Sequence, residues 1–110
     1  MRRGEIWTVA GGTYSSKPRP GIIIQDDSAH EASSVTIIPL TSMPSELRRV
    51  RVAIHLETPD GDSIESFAQV DKITTVKAKS VSKRLGALTL PEMRAVEKSL
   101  LAHLGIGSLR

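Results

Sequence analysis

The sequence predicts a mainly β, α+β chain: a small barrel of mostly antiparallel strands carrying one C-terminal helix. Three observations lead there. Short β-branched runs recur between turn-forming clusters. The segment Val50-Arg51-Val52-Ala53-Ile54-His55-Leu56 alternates apolar and polar with the period of two that a half-buried strand requires. Helical periodicity is confined to the stretch after Thr89.

Glu5 to Val9 reads as the first strand, with Ile6 and Thr8 on one side and Trp7 and Val9 on the other. Gly11-Gly12 ends it and opens a polar loop through Lys17 that contains Tyr14, Ser15 and Ser16. Gly21-Ile22-Ile23-Ile24-Gln25 is a continuous apolar run, the pattern of a strand covered on both faces. Asp26 to Ser34 is rich in turn formers, and Val35 to Leu40 is a third strand with Pro39 near its end, where ladder pairing stops. In the alternating segment Val50, Val52, Ile54 and Leu56 face in, while Arg51, Ala53 and His55 face the other way. Thr58-Pro59-Asp60-Gly61-Asp62 is a turn, after which Ile64 to Val70 returns as a hairpin partner. Leu85 to Leu88 is a further short strand. Thr89 and Glu92 have capping-box spacing and Pro91 falls in the first turn, where a missing N–H costs little. Met93, Val96, Leu100, Leu101 and Leu104 recur on one helix face, and Gly105 is the stop signal.

With 110 residues the chain fits one domain, 1–110, with a real core. Aromatics are 3%, only Trp7, Tyr14 and Phe67, which argues against a platform of rings that stacks several bases. A net charge of +3 permits a polyanionic partner without demanding one. Arg48, Arg49 and Arg51 form one basic group and Lys77, Lys79, Lys83 and Arg84 another; they either line one groove or are ordinary solvated surface. The absence of cysteine excludes disulfides and thiolate metal sites and fits a reducing cytosol, the expected location. No signal-peptide core follows Met1-Arg2-Arg3-Gly4, and no run is long enough to span a bilayer, so no membrane partner is expected. No metal site is expected, because Asp60-Gly61-Asp62 is accounted for by turn chemistry, and no cofactor motif is present.

Two segments place polar chemistry beside apolar strands: Lys17-Pro18-Arg19-Pro20-Gly21 and Pro39-Leu40-Thr41-Ser42. Arg19 is either an exposed side chain in a proline-punctuated turn or a restrained guanidinium able to grip two phosphate oxygens. Thr41 and Ser42 either satisfy nearby backbone or donate to a phosphoryl oxygen as its charge grows. Of the histidines, His30 falls in a loop, His55 on the exposed strand face, and His103 where a helix C-terminus favours positive charge.

Gly4-Glu5-Ile6-Trp7, Lys17 to Gln25, Val35 to Ser42, Val70-Asp71-Lys72-Ile73-Thr74-Thr75-Val76 with its basic sequel, and Leu85 to Leu88 before a closing helix occur in the order of one family. Taken together they resemble the MazF/PemK toxin endoribonucleases over nearly the whole chain. The resemblance implies an SH3-like barrel of the MazF/PemK/CcdB type, a homodimer, and metal-independent, sequence-selective cleavage of single-stranded RNA: mRNA first, with rRNA or tRNA as further targets. It also implies a cognate antitoxin whose acidic tail occupies the RNA groove. The family's arginine before proline falls on Arg19 and its Pro-Leu-Thr-Ser threonine on Thr41, with Ser42 as a lesser helper. On this mapping Lys17, Arg51 and Lys72 are candidates for RNA backbone contacts and Tyr14 for stacking on a base. Glu65, Asp71, His30 and His55 stand as alternatives for the general base. Asp71-Lys72-Ile73-Thr74 departs from the family's frequent Asp-Gln-Ile-Arg, which bears on base recognition. The competing readings are a same-fold gyrase-poisoning toxin that acts by protein binding, and a non-catalytic barrel.

Overall fold

The computed structural model describes residues 1–11, 15–29 and 33–107. Seven strands, β1 (Glu5–Gly11), β2 (Ser15–Ile23), β3 (Ser34–Thr41), β4 (Arg51–Glu57), β5 (Ser63–Gln69), β6 (Thr74–Lys77) and β7 (Val81–Ala87), precede one helix, α1 (Leu90–Leu104). All strand pairs are antiparallel, in the order β4-β5-β3-β2-β1-β7, with β6 also paired to β3. The sheet is curled into a half-barrel, the small barrel with a C-terminal helix expected from the sequence.

Alternation along each strand divides the apolar side chains between two cores. Ile6, Ile22, Ile24, Ile38, Leu40, Ile54, Ala68 and Val70 gather with Val96 of α1 on the helix side. Val9, Ile23, Val35 and Ile37, flanked by Trp7, Val76 and Val81, fill a smaller core on the other face. Burial of such aliphatic groups contributes about 1.5–3 kcal/mol per large side chain, so these rows fix the registers. Gly21 sits where β2 passes over the smaller core. A Cβ there would stand 2.9 Å from Cδ1 of Ile37 and 3.2 Å from Cγ2 of Val9. Gly21→Ala is therefore expected to destabilise the fold by about 1–2 kcal/mol through overpacking, read as a lower urea midpoint.

The helix start follows its local signals. The Thr89 hydroxyl accepts the Glu92 N–H at 3.2 Å, and Glu92 Oε1 accepts the Thr89 N–H at 2.9 Å. The second oxygen of Glu92 accepts the His55 N–H at 2.8 Å, so the cap also ties α1 to strand β4. At the other end Gly105 adopts φ 70°, and its N–H reaches the Ala102 and Leu101 carbonyls.

Several boundaries differ from the sequence reading. The segment Ser15–Pro20 is not a loop but the first part of β2, paired so that Thr8 faces Pro20 and Val9 faces Arg19. Strand β6 was not anticipated, and β7 starts four residues before the expected Leu85. Leu101 and Leu104 are exposed, whereas Met93, Val96 and Leu100 pack inward.

Candidate active site

The site forms where β3 changes partners. Residues Ile37 to Pro39 pair with β2, through Ile23, Ile22 and Gly21. One residue on, Leu40 pairs with Ala68 and Thr41 with Phe67 of β5. The β2–β3 ladder thus ends at Gly21 and Pro39, while both strands continue. Pro18, Pro20 and Pro39 lack backbone N–H groups, leaving few donors with which the ladder could be extended. Past that point no ladder pairing joins the Lys17–Pro20 stretch of β2 to the end of β3, which leaves an unpaired gap between the two strands.

Parity decides which side chains face that gap. Ile22 and Leu40 belong to the helix-side core, so Arg19 and Thr41, each one or three residues out of phase, lie on the helix-free face. The register of the last three β2–β3 pairs, carried two residues further, sets Arg19 across from Thr41. On the far side of Thr41 the row continues through Phe67 to Ala53.

Arg19 is exposed, and among the described residues its guanidinium has no hydrogen-bond or ion-pair partner. The Thr41 hydroxyl accepts the Met43 N–H at 3.2 Å. That bond uses a lone pair and holds the side chain at the strand end, leaving its proton available for donation. Ser42 follows in the exposed bend, and Lys17 is exposed on the same face of β2 as Arg19. Lys72 is exposed at the end of the short 3-10 turn Val70–Lys72. Tyr14 and His30 lie outside the described residues.

Arg51 is not placed as the sequence reading expected. Its side chain is only 8% exposed, and its guanidinium is paired with Asp71 and bonded to the Val50 carbonyl at 3.0 Å. A charge held this way is committed to the fold, and Asp71 is committed with it. Arg51→Ala is expected to cost about 2–3 kcal/mol of stability, since it strands a partly buried carboxylate, and to change RNA affinity little at matched folded fraction. Arg84 is likewise taken up, by Glu5 at 2.7 Å. Arg48 and Arg49 flank a hollow of about 550 Å³ beside Ala102 and His103 near the helix end. The two basic groups are thus partly spent in structure. His55 faces the helix start, its Nδ1 3.8 Å from Glu92. Burial works against the charge of Glu92, but N–H groups of Thr89 and His55 and the Thr89 hydroxyl outweigh it and hold the carboxyl below its ordinary range.

The sequence reading missed Phe67 as a neighbour of Thr41. No local signal could have found it, because the pairing follows from β3 crossing to β5, far apart in the chain.

These features match a known group. The family model described as PemK-like, MazF-like toxin of type II toxin–antitoxin system matches residues 2–104, and the chain belongs to that family. It is 40% identical over 107 residues to the probable endoribonuclease MazF of Mycolicibacterium smegmatis (strain ATCC 700084 / mc(2)155), covering 96% of this chain and 98% of that one. Among solved structures, an endoribonuclease from a mycobacterial species superposes with a TM-score of 0.77 at 21% identity, covering 99% of this chain and 95% of the other. An endoribonuclease in complex with its cognate antitoxin, also mycobacterial, gives 0.75 at 21% identity, covering 99% and 97%. The family resemblance and the barrel read from the sequence are both borne out. Among the described residues no helix is long and apolar enough to cross a membrane.

Proposed function

We propose that this toxin is a sequence-specific endoribonuclease that cleaves single-stranded mRNA without a metal ion, the ribose 2′-OH acting as internal nucleophile. The observation that carries this reading is the β2–β3 register, which puts Arg19, exposed and without a partner among the described residues, on the same face as the oriented hydroxyl of Thr41 where the ladder ends. Among the described residues no three His, Asp or Glu side chains converge as metal ligands would.

A nucleophile built into the substrate leaves the protein three tasks: alignment, charge stabilisation and proton transfer. Arg19 grips the non-bridging oxygens of the scissile phosphate with parallel N–H bonds. Thr41 donates to a non-bridging oxygen as the phosphorane forms, with Ser42 assisting at the mouth of the gap. The products carry a 2′,3′-cyclic phosphate and a 5′-hydroxyl. Lys17 and Lys72 contact flanking phosphates, so binding weakens as salt rises. The chain works as a homodimer in the cytoplasm, held in check by an acidic antitoxin tail in the same groove. The antitoxin-bound mycobacterial neighbour supports that partner.

The test is incubation of purified protein with a long single-stranded RNA in excess EDTA, followed by sequencing and end-group analysis. Defined cut sites with 5′-hydroxyl ends are expected, and a DNA strand of the same sequence should survive. Intact RNA, or cleavage that returns only when a divalent ion is added, would overturn the reading. Intact RNA together with gyrase inhibition would assign the chain to the protein-binding toxins instead.

A further inference from the structure

The reaction just proposed lacks a group to take the 2′-OH proton, and the sequence leaves four candidates. The fold separates three of them. Asp71 is spent on Arg51. His55 directs its backbone N–H, and the nearer imidazole nitrogen, toward Glu92 at the helix start. His30 lies outside the described residues. Glu65 is exposed on β5, and no described residue hydrogen-bonds or ion-pairs with its carboxylate.

The position of Glu65 follows from register. Thr41 faces Phe67, and Glu65 lies two residues away on the same strand, hence on the same face. Such diagonal neighbours stand about 7–8 Å apart. Strand β3 ends at Thr41, so beyond it nothing of that strand stands between Glu65 and the gap. A carboxylate carried on two methylenes extends over part of this distance, toward a ribose whose phosphate is held by Arg19 and Thr41.

We infer that Glu65 is the general base of the proposed cleavage, a role that rests on the reaction assigned above. Its carboxylate takes the proton from the 2′-OH while the 2′-oxygen forms its bond to phosphorus. The bond from phosphorus to the 5′-oxygen then breaks. The departing oxygen, hydrogen-bonded to the Arg19 guanidinium, takes a proton from water, and the proton released later by Glu65 neutralises the hydroxide that remains. Arginine is never deprotonated in this scheme, which removes the cost of a neutral guanidine. Among the described residues, the other charged or titratable groups on this face near Glu65 are His55 directly opposite on β4, Glu57 two residues further along that strand, Arg51 four residues the other way and paired with Asp71, and Arg19 and Lys17 on β2.

The test uses the full chain and the long single-stranded RNA above, with single-turnover rates followed from pH 4 to 9. Affinity is read separately on a 2′-O-methylated copy of the cut site, which cannot react. Glu65→Gln is expected to lower the neutral-pH rate by about 10²- to 10⁴-fold with affinity changed less than about twofold. It should also abolish the fall in rate on the acid side, while Glu65→Asp restores part of both rate and acid limb. An undiminished rate in Glu65→Gln, a retained acid limb, or a loss of affinity matching the loss of rate overturns the assignment while leaving the cleavage reaction standing. Wild-type protein that leaves the RNA whole overturns the reaction and the assignment together.

Discussion

Arg19→Ala is expected to slow RNA cleavage by about 10²- to 10³-fold while changing folding stability by no more than about 0.5 kcal/mol. The two halves of this expectation have separate origins. The side chain is exposed and has no protein partner among the described residues, so its removal breaks none of their interactions. In the proposed reaction its value lies in fixed donors that meet a doubly charged phosphorane better than the singly charged ground state. Arg19→Lys separates charge from geometry, because an ammonium keeps the positive charge but not the paired donors. It should recover binding at low salt and only part of the rate. Single-turnover rates and urea midpoints on the same preparations check both halves. A fully active Arg19→Ala protein would remove the basis for the proposed reaction.

Glu5→Gln is expected to lower stability at neutral pH by on the order of 3 kcal/mol, with the difference from wild type shrinking as the medium is acidified. Glu5 gathers three donors: the Arg2 N–H at 2.6 Å, the Trp7 indole at 3.2 Å and the Arg84 guanidinium at 2.7 Å. Its side chain is 18% exposed. Burial alone would raise its pKa, but these donors, led by Arg84, overcome it and bring the carboxyl from 4.5 down to about 2. A group held lower in the folded state contributes stability above its unfolded value of 4.5 and loses it as pH falls through 2. At about 1.4 kcal/mol per pH unit the gap gives the figure above. Urea unfolding at pH 7, 4 and 2.5 measures it. Wild type should lose stability steeply between the first two conditions and the last, and Glu5→Gln should lose less.

What could be read from the chain was what its neighbours in sequence decide. The capping box at Thr89 and Glu92 and the stop at Gly105 are local hydrogen-bond arrangements, and both form where expected. The period-two pattern of β4 placed Ile54 inward for the same reason. Ser15 to Pro20 misled because serine and proline signal turns, yet pairing with β1 overrode that preference. Strand β6 is four residues long and owes its existence to the free edge of β3, which no short-range pattern reports. The site shows the same division. Local motifs singled out Arg19 and Thr41, but the register that sets them on one face, the neighbour Phe67 and the loss of Arg51 to Asp71 depend on contacts distant in sequence.

The β2–β3 ladder stops at Gly21 and Pro39, and among the described residues no strand pairs with the outer stretch of β2 on that side. Unsatisfied main-chain edges invite adhesion between molecules. Pro18 and Pro20 withdraw the amides that an intruding chain would need. The imino acids that flank Arg19 therefore also serve as insulation, and exchanging both for alanine should bring aggregation before any loss of RNA cleavage.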